Sequence, residues 1–218
     1  MSTRFIEDSA EPAVQGYLDV PERVNGDGIL LAHGAGSNCQ AKLLVELSAA
    51  LAERGFTVLR IDLPFRAARP TGPPRPGDAA RDRQGLQRAA ELLRAKVSGR
   101  LFIGGHSYGG RQASMLLAEM PIVADGLLLL SYPLHPPKKP MDLRTKHFAE
   151  MGRPAFFAHG TRDPFGSIAE MQAALKLLRV QHELLVIEGA GHELRVKKPG
   201  NDAVKKVAES FTTFAGHS

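Results

Sequence analysis

The chain has 218 residues, 43% of them hydrophobic and 23% charged, with a formal net charge of +5. That balance is ordinary for a folded domain and excludes a chain disordered throughout, and the length suffices to bury a core without disulfides or metals. A single cysteine, Cys39, excludes an internal disulfide, and no apolar run approaches the roughly 18 residues that a membrane helix needs.

The first residues include Arg4, Glu7, Asp8 and Glu11 and no apolar stretch of the kind a secretory leader carries. The expectation is a soluble, cytoplasmic protein with no membrane partner. Val14 to Val20 reads as an early strand. Gly28 to Ala32 reads as a buried strand that runs into His33-Gly34-Ala35-Gly36. Ser37 or Asn38 is then expected to cap a helix on which Leu43, Leu47 and Leu51 share one face and which Gly55 ends.

Thr57 to Ile61 is the next expected strand. The stretch from Pro64 to Gly77 holds so many prolines that a loop without helix is expected there. A helix is predicted over Ala79 to Val97. From Arg60 to Arg100 basic residues outnumber the acids Asp62, Asp78, Asp82 and Glu91. Aromatic residues do not interleave with this stretch, so it reads as a solvated arginine-rich surface, and no nucleic-acid partner is expected.

Leu101 to Gly104 reads as a strand, and the residues after Ser107 as a helix to about Met120, stopped by Pro121. Gly126 to Leu130, Ala155 to Ala158 and Leu184 to Ile187 complete the strands. Pro133 to Pro140 is a second proline-rich loop. Ser167 to Leu178 and Asp202 to Phe214 complete the helices. Strands alternating with helices predict a mostly parallel sheet with helices on both faces. With no repeat and no linker, residues 1–218 read as one α/β domain.

Chemistry concentrates at Gly105-His106-Ser107-Tyr108-Gly109, a G-x-S-x-G pattern between a predicted strand and a predicted helix. A serine on so sharp a turn needs neighbours two residues away that have almost no side chain. Its hydroxyl is then presented above the carboxyl edge of the sheet. The Tyr108 amide, at the positive end of the following helix, is a candidate oxyanion donor. A second donor is expected from the loop after Gly28–Ala32, with Ala35 first and Gly34 next.

A serine hydroxyl needs a base to take its proton. In such a topology the order is serine, acid, histidine, each past the carboxyl end of a strand. His33, His106, His135, His147 and His159 do not follow the final strand, His182 precedes it, and His217 is terminal. His192, reached through Glu188-Gly189-Ala190-Gly191, remains as the base. Asp163, in His159-Gly160-Thr161-Arg162-Asp163-Pro164, is the candidate acid that orients it. Glu188 and Glu193 lack the right topological position. His33, Arg66 and Arg111 are candidates for contacting substrate, the arginines through an anionic group.

The four motifs HGAG, GHSYGG, GTRDP and GAGH, in that order, resemble the α/β-hydrolase superfamily over nearly the whole chain. Gly105 to Met115 and Ser131 to Pro137 carry a narrower likeness to the small human testis-expressed and KANSL3-type hydrolase-like proteins, which also resemble dienelactone hydrolases in size. The resemblance implies an α/β-hydrolase fold and an ester hydrolase without cofactor or metal. Dienelactone hydrolases use a cysteine nucleophile where this chain has Ser107. Only Pro133 to Gly152 could form a lid, so no large cap domain is expected. The pocket should be shallow and walled by the two proline-rich loops.

Two readings of function follow. One is a serine hydrolase acting on a small-molecule carboxylic ester or thioester through an acyl-enzyme. The other is an interaction module that keeps the fold without catalysis.

Overall fold

The computed structural model describes residues 2–196 and 202–216. Three consecutive inner strands, β3 (Gly28–Ala32), β4 (Thr57–Ile61) and β5 (Leu101–His106), are buried at every residue. A strand covered on both faces reads as a continuous apolar run, which is why these segments show no polar alternation. Period two still decides which face each residue serves. Ile29 and Leu31 point to one face, Leu30 and Ala32 to the other.

Two further strands precede this group and three follow it. They are β1 (Ser2–Glu7), β2 (Val14–Asp19), β6 (Gly126–Leu130), β7 (Ala155–Gly160) and β8 (His182–Ile187). The sheet order is β1-β2-β4-β3-β5-β6-β7-β8. β1 and β2 pair antiparallel, as do β2 and β4, and every pairing from β4 across to β8 is parallel. All carboxyl ends of the parallel strands therefore meet on one rim.

Helices α1 (Lys42–Ala52) and α6 (Ala203–Phe214) cover one face. Their Leu44, Leu47, Leu51 and Phe211 pack with Ile29, Val58, Phe102, Leu128 and Phe156. Phe211 meets the rings of Phe56, Phe102 and Phe156 at 5.8, 5.2 and 5.7 Å between centroids. Helices α3 (Asp78–Arg94), α4 (Tyr108–Glu119) and α5 (Ile168–Leu175) cover the other face. There Leu86, Leu93, Leu117 and Leu175 close over Leu30, Leu59, Ile103 and Phe157. No cap domain stands over the rim among the described residues.

Three expectations need correcting. Strand β1 escaped the sequence reading because it is an exposed edge strand, with only Phe5 packed against the core. The stretch from Pro64 does hold a short helix, α2 (Pro64–Ala68). Pro64 stands at its first turn, where the missing N–H costs nothing and the fixed φ suits a helix. Ser37 and Asn38 do not cap α1, which starts later, with Ala41 at its N-cap and no side-chain cap. The prediction of a C-terminal helix from Asp202 fits, with Asp202 accepting from the Lys205 amide. His217 lies outside the described residues.

The arginine-rich stretch is largely paired. Arg69, Arg81, Arg83, Arg88 and Arg94 meet Asp78, Glu11, Glu119, Glu7 and Asp125. Buried Arg60 bonds Asp19, the Cys39 carbonyl and Ser2.

Candidate active site

Ser107 lies between β5 and α4 with φ 50 and ψ −114, a conformation that a residue with a side chain rarely adopts. The turn holds because its neighbours are glycines. A Cβ on Gly105 would lie 1.9 Å from the Ala32 carbonyl oxygen, and one on Gly109 would lie 2.6 Å from that of His33. The Ser107 amide donates to Leu130 O at 2.9 Å, which ties the turn to the neighbouring strand end.

Three side chains from three strand ends meet at the rim. Ser107 Oγ lies 2.9 Å from His192 Nε2, and His192 Nδ1 lies 2.8 and 3.0 Å from the two oxygens of Asp163. An ionised carboxylate only accepts, so Nδ1 carries the ring proton and Nε2 is left to accept from the serine hydroxyl. Asp163 is buried. Burial alone would raise its pKa, but hydrogen bonding and charge from His192 and the Phe165 amide hold it below the ordinary value. Its Oδ1 also accepts from Phe165 N at 2.9 Å, so Asp163 both forms the turn before Pro164 and faces the histidine.

The surroundings of His192 were not foreseen in the sequence. Phe165 stacks on its ring at 4.2 Å between centroids and a 30° tilt. His106 Nε2 bonds the His192 carbonyl oxygen at 2.8 Å, with the two rings 4.9 Å apart. His159, fully buried, bonds Gly166 O through Nε2 and lies 3.8 Å from Asp163 Oδ2. Burial pushes the pKa values of both His106 and His159 down, so both are neutral rings near neutral pH. The one available signal was that His106 sits inside the G-x-S-x-G pattern.

Tyr108 opens α4, so its amide belongs to the first turn of N–H groups that lack an intrahelical acceptor. Its hydroxyl donates to Asp82 Oδ2 at 2.7 Å, and Asp82 Oδ1 accepts from Phe65 N at 3.0 Å. Buried Asp82, whose pKa burial raises, thus fixes the start of α4 to α2 and α3. Gly34 packs beside His106 and Ser107, and Ala35 follows it in the facing loop.

Two expected substrate contacts are corrected. His33 is fully buried. Its Nε2 accepts from Leu63 N at 3.1 Å, which leaves Nδ1–H to donate to Gly34 O at 2.8 Å. Its capacity is filled by backbone. Arg66 is also buried, and its guanidinium donates to the carbonyls of Ser37, Arg69, Ala35 and Gly72 at 2.8 to 3.1 Å. Both side chains brace the loop that contains Ala35, and every hydrogen bond they make among the described residues goes to backbone. Arg111 lies half-buried on α4, one turn past Ser107.

A cleft of about 830 Å³ opens elsewhere, lined by Tyr17, Asp19, Arg23, Gln40, Glu53 and Arg60. It contains none of the rim residues. Among the described residues no cluster of histidine, cysteine and carboxylate side chains could hold a metal ion, and no helix is long and apolar enough to cross a membrane.

The sheet order, the helices on both faces and the strained serine turn together define an α/β-hydrolase fold. The family model described as alpha/beta hydrolase domain matches residues 26–216, and the chain belongs to that family. Among solved structures it is similar to a dienelactone hydrolase from Anabaena variabilis, with 21% identity, a TM-score of 0.77, and coverage of 100% of this chain and 98% of that one. Est1E from Butyrivibrio proteoclasticus matches at 16% identity and TM-score 0.74, over 97% of both chains. XC6422 from Xanthomonas campestris, described as an α/β serine hydrolase without lid, matches at 18% identity and TM-score 0.74, over 96% of this chain and 94% of that one.

Proposed function

We propose that this protein is a serine hydrolase that cleaves a carboxylic ester or thioester through an acyl-enzyme on Ser107. The observation that carries the reading is the continuous hydrogen-bonded line Ser107–His192–Asp163, at 2.9 and 2.8 Å. In that reading Ser107 Oγ attacks the ester carbonyl while His192 Nε2 takes the hydroxyl proton. The carbon–oxygen or carbon–sulfur bond breaks, and His192 returns the proton to the leaving alcohol or thiol. Water, deprotonated by the same imidazole, then releases the acid. Asp163 holds the tautomer and stabilises the imidazolium. The amides of Tyr108 and of Ala35, or of Gly34, receive the developing oxyanion.

The hydrolase family of the chain and its likeness to esterase folds support the same class of reaction. The narrower kinship with the testis-expressed and KANSL3-type proteins rests on Gly105–Met115 and Ser131–Pro137 alone. The alternative of a non-catalytic interaction module gives no reason to hold a serine in a strained conformation against a histidine–carboxylate pair. The test is labelling with a fluorophosphonate probe and turnover of activated esters. Wild type should label and turn over, and Ser107→Ala should do neither. Equal labelling of the two, or an inert wild type, overturns the reading.

A further inference from the structure

We propose that Arg111 and Arg144 form an anion subsite beside Ser107, which selects esters that carry a second, free carboxylate. The inference rests on the hydrolase reading only in taking Ser107 as the point of attack.

The argument starts from position. Arg111 N donates to Ser107 O at 2.9 Å, so this arginine stands one helical turn, about 5–6 Å of rise, beyond the nucleophile. The chain after β6 wraps against the same side of α4. There His147 Nε2 bonds Ser114 Oγ at 2.8 Å, and Ser114 Oγ donates to Arg111 O at 2.8 Å. That wrap brings in Arg144, whose backbone is held by Leu134 O at 2.8 Å and by the Tyr132 hydroxyl at 2.7 Å.

The electrostatics of the cluster are one-sided. Burial lowers the Arg144 pKa and the Arg111 charge lowers it further, with Tyr132 and then exposed Asp142 partly offsetting this. Burial and then Arg111 also hold His147 down to about 4, so it is neutral at pH 7. Arg111 Nε is buried and has no hydrogen-bond partner among the described residues. The contrast with the arginine-rich stretch is direct, because there Arg69, Arg81, Arg83, Arg88 and Arg94 each meet a carboxylate. The Arg144 guanidinium donates to the Pro133 carbonyl oxygen at 3.4 Å, just past the end of β6, and neither arginine meets a carboxylate among the described residues. Two like charges on this side of α4 repel, unless a ligand anion lies between or beside them. A guanidinium is a planar fork that matches the two oxygens of a carboxylate.

The test compares two esters of equal chain length, mono-4-nitrophenyl adipate and 4-nitrophenyl hexanoate. One ends in a carboxylate and the other in a methyl group. Wild type should favour the adipate by about tenfold in kcat/KM, the scale of one charge-assisted pair. Arg111→Gln should lower that ratio about tenfold, Arg144→Gln less, and Arg111→Lys should fall between wild type and Arg111→Gln. A wild-type ratio of one or below, or a ratio unmoved by Arg111→Gln, overturns the subsite. Preference for a matched ester that ends in a phosphate would overturn the carboxylate assignment. A second measurement does not depend on turnover. Ser107→Ala should bind monomethyl adipate more tightly than methyl hexanoate by calorimetry, and adding Arg111→Gln should abolish the difference. If wild type neither labels nor turns over ester, the hydrolase reading fails, and the calorimetric pair alone decides the subsite.

Discussion

The His106 imidazole donates from Nε2 to the backbone carbonyl of His192, at 2.8 Å across 86 positions of sequence. The residue before Ser107 therefore holds the main chain of the residue that faces that serine. With Phe165 stacked on the other ring contact, the His192 imidazole is fixed by backbone, ring and carboxylate together. On the proposed mechanism His106 is a positioning residue. His106→Ala should lower kcat by about 10- to 100-fold, the scale of a slightly misplaced catalytic group, with KM changed little. His106→Gln, which keeps a donor at similar reach, should recover part of kcat. Steady-state kinetics beside a thermal melt separates this from simple loss of fold, because both variants lose the buried ring but only one keeps the hydrogen bond.

Asp163→Asn should fold and lose activity. Its remaining oxygen can still accept from the Phe165 amide, while the new amide group can favour the wrong His192 tautomer. On the proposed mechanism a drop in kcat of about 10³- to 10⁴-fold is expected, the scale of losing the orienting acid of a serine–histidine–aspartate triad. Stability gives an independent readout. The folded-state pKa of Asp163 lies below its ordinary value. The ionised form therefore adds stability that is fully present above about pH 4, the unfolded value, and is lost as pH falls through the lower folded value. Urea unfolding of wild type and Asp163→Asn should show a gap at pH 7 that narrows on acidification below pH 4. A gap that widens would mean that Asp163 is not held as a carboxylate.

What was legible in the sequence was what local chemistry dictates. The buried strands announce themselves as apolar runs such as Gly28–Ala32 and Gly126–Leu130. The serine turn announces itself because the glycines at 105 and 109 are needed against the Ala32 and His33 carbonyls. Chain order past successive strand ends then picked out Asp163 and His192, which the structure brings to Ser107. What was not legible depends on pairs far apart in sequence. Asp82 reaches Tyr108 across 26 positions, and Arg66 reaches Ser37 across 29. A charged residue in a proline-rich stretch reads as solvated until packing turns it inward, and neither Arg66 nor Asp82 carries a local mark of its burial.

The glycines of the turn and of the facing loop should differ in their tolerance. On Gly109 a Cβ would press on backbone, the His33 carbonyl oxygen and the Ala32 carbonyl carbon at 2.6 and 2.7 Å. Backbone in the middle of a sheet cannot yield cheaply, so Gly109→Ala should cost about 1–3 kcal/mol or more. It should also abolish fluorophosphonate labelling by moving the serine. On Gly36 a Cβ would meet nothing within 4 Å, and Gly36→Ala should stay within about 0.5 kcal/mol of wild type. Denaturant midpoints for the pair check both statements. Equal midpoints would mean that the turn is looser than its geometry implies.

Arg66 separates two uses of a cation near an active site. A residue that holds a substrate anion acts on KM and only for charged substrates. A residue that holds the oxyanion loop acts on kcat for every substrate, because the amide it positions meets the transition state. The Arg66 guanidinium already donates to four backbone carbonyls, those of Ser37 and Ala35 among them. Removing it would leave buried carbonyls without donors, at about 1–3 kcal/mol for each that stays dry, and would free the loop that carries Ala35. Arg66→Ala should therefore lower kcat by about tenfold or more for neutral and anionic esters alike, within the range seen for weakened oxyanion donors. Arg66→Lys should restore little, since one ammonium cannot reach four carbonyls set around a planar fork. A rise in KM confined to anionic esters, with kcat intact, would return Arg66 to the substrate and remove it from the loop.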